Sequence, residues 1–258
     1  LLQNKQTADK VKEIFFDLGE ELDIKSRINE LDFDILVQGT AFEYFDKIAV
    51  KYIAENISSE AVDYDKYLRY INIRLDSTLW KEKYFIYYKM LITVINILKI
   101  KQDLVIKDKS INGLFEDYTN IYYKIDRLYR EFFFSYDEIK GKNSNEIFDS
   151  LERKVSQFYE KDYLENLLSL WSDNFTTGTG LPYQKDFYDK HIKSSDTRVA
   201  VIISDGLRYE IGSEIFEKLK KEASAKEITL KGMLTSLPSI TDVGMTNLLP
   251  NENREISP

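Results

Sequence analysis

The chain has 258 residues, enough for one large or two ordinary domains, and its 43% hydrophobic content is ample for a packed core. It contains no cysteine and one histidine, His191, which excludes disulfide frameworks, thiol catalysis, Cys-ligated zinc and a His-rich metal site made from these residues alone. A formal net charge of -8, with acids and bases interspersed, argues against a broad nucleic-acid-binding surface, which needs clustered Lys and Arg.

The first residues, Leu1-Leu2-Gln3-Asn4-Lys5, carry neither an initiator Met nor the basic and apolar regions of a signal peptide. The expectation is a piece of a longer, cytoplasmic protein. From there to about Phe175 the chain reads as helix after helix. Val11, Ile14, Phe15, Leu18 and Leu22 share one face by the i, i+3, i+4, i+7 rule. The most apolar stretch, Tyr84 to Ile100, is broken by Lys89, Asn96 and Lys99, so it reads as a buried core helix and not as a membrane span. A third stripe runs through Tyr118, Ile121, Tyr122, Ile125, Leu128, Tyr129, Phe132 and Phe133. A fourth runs through Ile147, Leu151, Val155, Phe158 and Tyr159, and on to Leu164, Leu167, Leu168, Trp171 and Phe175. Proline is absent before Pro182, and breaks are expected at Ser58-Ser59, Asp108 to Ser110 and Gly141 to Asn145, where capping residues cluster. Long uninterrupted helices of this kind suit a bundle.

The grammar changes at Thr176-Thr177-Gly178-Thr179-Gly180-Leu181-Pro182, an exposed connector. A short helical stretch, Tyr183 to Ile192, leads to the polar break Lys193-Ser194-Ser195-Asp196. Val199-Ala200-Val201-Ile202-Ile203 then predicts a strand covered on both faces. Leu207, Ile211, Ile215, Leu219 and Ala223 predict a helix, Ile228 to Thr235 a second strand, and Thr241 to Leu248 a short helix. The expected fold is therefore mainly α: an N-terminal helical bundle, 1–182, a connector, 183–196, and the first β-α-β-α units of an α/β domain, 197–258.

Two residues stand where such a domain places its chemistry. Asp205 follows the first strand, at the carboxyl end where open α/β sheets gather ligands, with Gly206 leaving room for a close turn. The plainer reading makes Asp205 the N-cap of the next helix. Thr241 begins the last helix, where backbone N–H groups favour a phosphate. Its hydroxyl needs a base or a metal to become a nucleophile, and with no histidine nearby metal activation is the consistent choice. Here too the plainer reading is an N-cap, and Ser239 is a competing hydroxyl. Arg208 can grip a phosphate oxygen or can pair with Glu210, Glu214 or a residue after residue 258. His191 reads as solvent-facing, and Asp242 as a further helix-capping acid. No P-loop and no Gly-x-Gly-x-x-Gly follows the first strand.

Arg198 to Glu210 resembles the signature strand and turn of the PglZ family, and Leu237-Pro238-Ser239-Ile240-Thr241-Asp242-Val243-Gly244-Met245 to Pro250 resembles its second signature. Ile125 to Phe132 and Phe158 to Trp171 resemble, more loosely, the region before that family's core; residues 1–110 carry no matching motif. PglZ proteins belong to the alkaline phosphatase superfamily and act in BREX-type phage defence. The resemblance implies a divalent metal, in that superfamily two ions and usually zinc, with Asp205 as a metal ligand and Thr241 as both nucleophile and ligand. It implies further Asp and His ligands after residue 258, so that this chain alone is expected to be inactive. It also implies other defence proteins as partners and no membrane. The competing reading is a scaffold whose helices dock such partners around a vestigial site.

Overall fold

Apolar side chains recurring at helical spacing, with proline excluded from the first 181 positions, make helices almost everywhere. In the computed structural model residues 5–250 are described, apart from 29–30, 58, 60–61, 78, 108, 142–145, 176–178 and 223–226. The helices are α1 (Lys5–Glu21), α2 (Ile24–Arg27), α3 (Phe33–Leu36), α4 (Glu43–Asn56), α5 (Tyr64–Ser77), α6 (Lys81–Asp103), α7 (Ile111–Asp117), α8 (Tyr123–Lys140), α9 (Glu146–Gln157), α10 (Glu165–Asn174), α11 (Tyr209–Glu222) and α12 (Thr241–Leu248). Wider π-helical turns at Tyr118–Tyr122 and Phe158–Leu164 lead into α8 and α10. Capping explains two of the starts: the Asp32 carboxylate accepts from the Asp34 N–H at the head of α3, and the Ser110 hydroxyl accepts from Gly113 N–H at the head of α7. Each expected break falls in a gap between helices; Ser58, Asp108, 142–145 and 176–178 lie outside the described residues.

The chain divides into two units. The first comprises 1–106 with 128–166. Its centre is α6, which buries Tyr84, Tyr88, Met90, Leu91, Val94, Ile95 and Ile97, as the apolar stretch predicts. Against it pack α4, through Ala49, Val50, Ile53 and Ala54, and α9, through Phe148, Leu151 and Val155. On α1 the expected stripe is only partly covered, for Ile14 is 63% exposed. Inside this core lies a fully buried ion pair. Arg74 of α5 donates from Nε and Nη2 to the Asp46 carboxylate at 3.0 and 2.6 Å, and the Tyr88 hydroxyl donates to the same carboxylate at 2.6 Å. Its Nη1 donates to the backbone carbonyls of Val37 and Gly39. No described helix is long and apolar enough to cross a membrane.

The second unit comprises 107–127 with 167–258. Here α7 and the turn after it lie against residues 209 and 232, and the absence of a side chain at Gly232 is what lets them close. A Cβ there would stand 3.0 Å from Thr119 Cγ2, 3.1 Å from the Phe115 ring and 3.4 Å from the Tyr209 ring. Arg127 pairs with Glu217 of α11 at 3.0 Å, and the Tyr209 ring meets the edge of Tyr123 at 5.4 Å. The expected helices over 207–223 and 241–248 appear as α11 and α12; Ala223 lies outside the described residues. The stretch after Tyr183 forms a 3-10 turn, Gln184–Asp186, and a π-helical turn, Tyr188–Lys193. Neither expected strand is paired into a sheet among the described residues. Residues 199–203 and 227–233 are non-helical, and the sole pairing of this type among the described residues is a parallel bridge between Tyr183 and Leu234. A strand is defined by its neighbour, and no neighbour for Val199 to Ile203 is among the described residues.

Candidate functional site

Ile203 ends the extended run, and the turn that follows owes its shape to Gly206, whose φ of 63° lies in the left-handed region open to glycine. The Gly206 N–H donates to Asp205 Oδ1 at 2.9 Å, which fixes the carboxylate over the turn. Helix α11 starts only at Tyr209, so Asp205 is not its N-cap. At the other junction Ile240, extended at φ -109° and ψ 156°, occupies the cap position of α12 and supplies no side-chain cap. Thr241 is thus the first helical residue, and its hydroxyl is turned away from the helix backbone. It donates to Asp205, at 3.2 Å from Oδ1 and 3.3 Å from Oδ2. Two residues 36 positions apart in sequence meet through their oxygens, and both are exposed.

Arg208 resolves toward one of its two sequence alternatives. Its Nη2 lies 3.2 Å from Oε1 of Glu210, whose side chain is fully buried while that of Arg208 is 56% exposed. Ser239 lines the same cavity as Asp205 and Thr241 without displacing Thr241 from the carboxylate. His191 is exposed and lies beside the Phe187 ring at 5.4 Å. Asp242 is exposed in the first turn of α12, and its backbone carbonyl accepts from the Thr246 hydroxyl at 2.7 Å.

The segment that carries Thr241 is held by a residue that no sequence pattern singles out. Gln184 donates its backbone N–H to the Leu234 carbonyl at 2.8 Å, and Leu234 N–H donates to Pro182 O at 2.8 Å. The Gln184 side-chain carbonyl accepts from Ser236 N–H and from the Thr235 hydroxyl, both at 3.3 Å. Its amide also abuts α12, since a Cβ on Gly244 would stand 3.3 Å from Gln184 Nε2. No sequence signal distinguishes such a glutamine from a surface one.

Asp205 and Thr241 open onto a cavity of about 860 Å3. Its other wall comes from α7 and the following turn, with Leu114, Phe115 and Tyr118, and from α10, with Leu168 and Trp171. The aromatic periodicity of these segments was legible as a helix stripe, but nothing in it distinguished a cavity wall from core. As oxygen donors, an anionic carboxylate and a hydroxyl within reach of each other suit one divalent ion. Among the described residues, however, no group of three or more His, Cys, Asp or Glu side chains is placed to hold one. Two oxygens alone fall below the three protein ligands a catalytic zinc takes.

Residues 185–258 match the family model for the BREX system PglZ alkaline phosphatase-like domain. Over 97% of its length the chain is 28% identical to the alkaline phosphatase-like protein PglZ of Bacillus cereus (strain H3081.97), of which it covers 31%. Over 50% of its length it is 32% identical to the alkaline phosphatase-like protein BrxZ of Escherichia coli O9:H4 (strain HS), of which it covers 16%. The chain thus spans less than a third of the length of either relative. No solved structure matches it. The resemblance to the PglZ family read from the two signature segments stands, since the matched span contains both.

Proposed function

We propose, from that kinship as premise, that this chain is a part of a PglZ-type, metal-dependent phosphatase or phosphodiesterase-like protein of a BREX-type phage-defence system. Residues 1–182 are its helical domain, 183–196 a connector, and 197–258 the opening of an alkaline-phosphatase-like α/β domain. Residues 199–203 and 228–235 take strand positions once paired with further strands. Asp205 is a metal ligand, Thr241 is ligand and nucleophile, and Arg208 assists with a substrate oxygen, released from or shared with Glu210. The protein works in the cytoplasm beside other defence proteins.

The observation that carries this reading is the convergence of Thr241 Oγ1 on the Asp205 carboxylate at 3.2 and 3.3 Å. Neither residue is spent on capping a helix, and the family match spans both. The hydrogen bond orients the threonine oxygen toward the cavity's polar corner. A divalent ion held by the two would make the hydroxyl easier to deprotonate and would neutralise phosphoryl oxygens. The first backbone N–H groups of α12, uncapped by Ile240, point toward an anion attached at Thr241. The remaining ligands, Asp and His, belong to a longer protein, so the 258-residue chain by itself holds no stoichiometric metal and does not turn over.

The test is aryl-phosphate hydrolysis and metal content in the longer protein containing this chain, beside its Thr241→Ala form. Hydrolysis should fall by up to about a millionfold in the variant, as for loss of a nucleophile. Equal rates would remove Thr241 from that role, and absence of both metal and hydrolysis would favour the scaffold reading. One equivalent of metal on the 258-residue chain would contradict the incomplete ligand set.

A further inference from the structure

The cavity beside Asp205 and Thr241 has a polar corner, where Asp205, Thr241, Ser239, Arg208 and the Gln184 amide stand, and a larger apolar and aromatic share of its lining, in which Thr119 is a polar neighbour of Phe115. Phe115, Tyr118, Trp171, Leu168, Met233 and Met245 make that wall. At about 860 Å3 the space is of the size that holds a small organic ligand and is far more than a phosphate ion fills. Three features describe the wall beside the site. Gly232 is bare, so that Phe115 and Thr119 approach to distances a side chain would forbid. The Tyr118 ring is fixed by its hydroxyl, which donates to Asp126 at 2.7 Å. Leu168 is 55% exposed although it borders a cavity that would cover it with a ligand in place.

We infer that this wall is a subsite for the organic group of the substrate, and that the site takes phosphate esters carrying an aromatic ring or a similarly flat apolar group. The inference rests on the phosphoryl reading above for the polar corner. The apolar wall stands on its own geometry. An aromatic ring laid against Trp171, Phe115 and Leu168 removes apolar surface from water on both sides, whereas a sugar or a simple alkyl diol leaves the wall wet. Rings also pack favourably on rings, and Tyr118 and Tyr209, with centroids 6.2 Å apart, both line the same space.

The experiment uses the 258-residue chain and three probes: 1-naphthyl phosphate, 1-naphthol and inorganic phosphate, titrated by calorimetry. The naphthyl ester should bind about tenfold or more tighter than inorganic phosphate, reflecting the buried ring. Leu168→Gln, a neutral change at a half-exposed position, should weaken both naphthyl probes about tenfold and leave inorganic phosphate unaltered. If Leu168→Gln loses its helical circular dichroism, Met245→Gln, also at an exposed lining position, takes its place. Equal affinities for naphthyl and inorganic phosphate, or naphthyl binding indifferent to both wall variants, would overturn the subsite. No hydrolysis of 1-naphthyl phosphate by the longer, metal-loaded protein containing this chain, with naphthol still bound by the 258-residue chain and weakened by the wall variants, would overturn the phosphoryl reading and leave the apolar subsite standing.

Discussion

At Asp46 a single carboxylate receives three hydrogen bonds, two from Arg74 and one from Tyr88, and all three side chains are sealed from water. The pair joins α4, α5 and α6 and reaches back to the carbonyls at 37 and 39, so it fixes how that corner of the first unit closes. Replacing only the cation strands a buried anion. Arg74→Met should lower unfolding stability by about 3–5 kcal/mol, read as an earlier urea midpoint, and Asp46→Leu added to it should recover part of the loss. A midpoint unchanged in the single variant would show that the pair adds nothing. None of this was legible: an arginine among Tyr70, Asn72 and Asp76 reads as a solvated face. Asp205 and Thr241 were legible as candidates because each sits at a junction between an apolar run and a helix. Their meeting was not, because nothing local encodes a contact across 36 positions.

Among the elements, the clearest were those set by local rules. Thr241 to Leu248 emerges as α12 because a proline-containing turn precedes it and its apolar residues keep helical spacing. The runs at 199–203 and 228–235 were read from apolar and alternating patterns, which specify a face but not a partner, and only Leu234 finds one. The seat of α7 and the turn after it was invisible too, since it depends on what Gly232 lacks. Gly232→Ala should push Thr119 and Phe115 back and cost about 1–3 kcal/mol, measured as a lower thermal midpoint. In the same variant, near-ultraviolet circular dichroism from the rings around Tyr209 should change. A variant as stable as the parent with unaltered ring signals would mean the wall yields freely.

For the molecule as a whole, a net charge of -8 favours separation of copies, yet one segment opposes it. Val199 and Val201 are 45% and 43% exposed and Ile202 is 93% exposed, in a β-branched run whose backbone forms no ladder with another described segment. Such an edge invites pairing with another chain. The 258-residue chain should therefore associate as its concentration rises in sedimentation runs, and Ile202→Lys should suppress that; association untouched by the substitution would place the sticky surface elsewhere. Composition and motif order made the helical majority and the signature segments legible. The grouping of 107–127 with 167–258 was not, because it joins stretches separated by about forty residues of other structure. That grouping bears on how the protein could be cut or recombined. The family-matched stretch is no free-standing cassette: transplanted from residue 185 onward, it would arrive without the α7 and α10 wall of its own pocket. Gene fusion or engineered excision must carry those two helical pieces along for the cavity to survive the move.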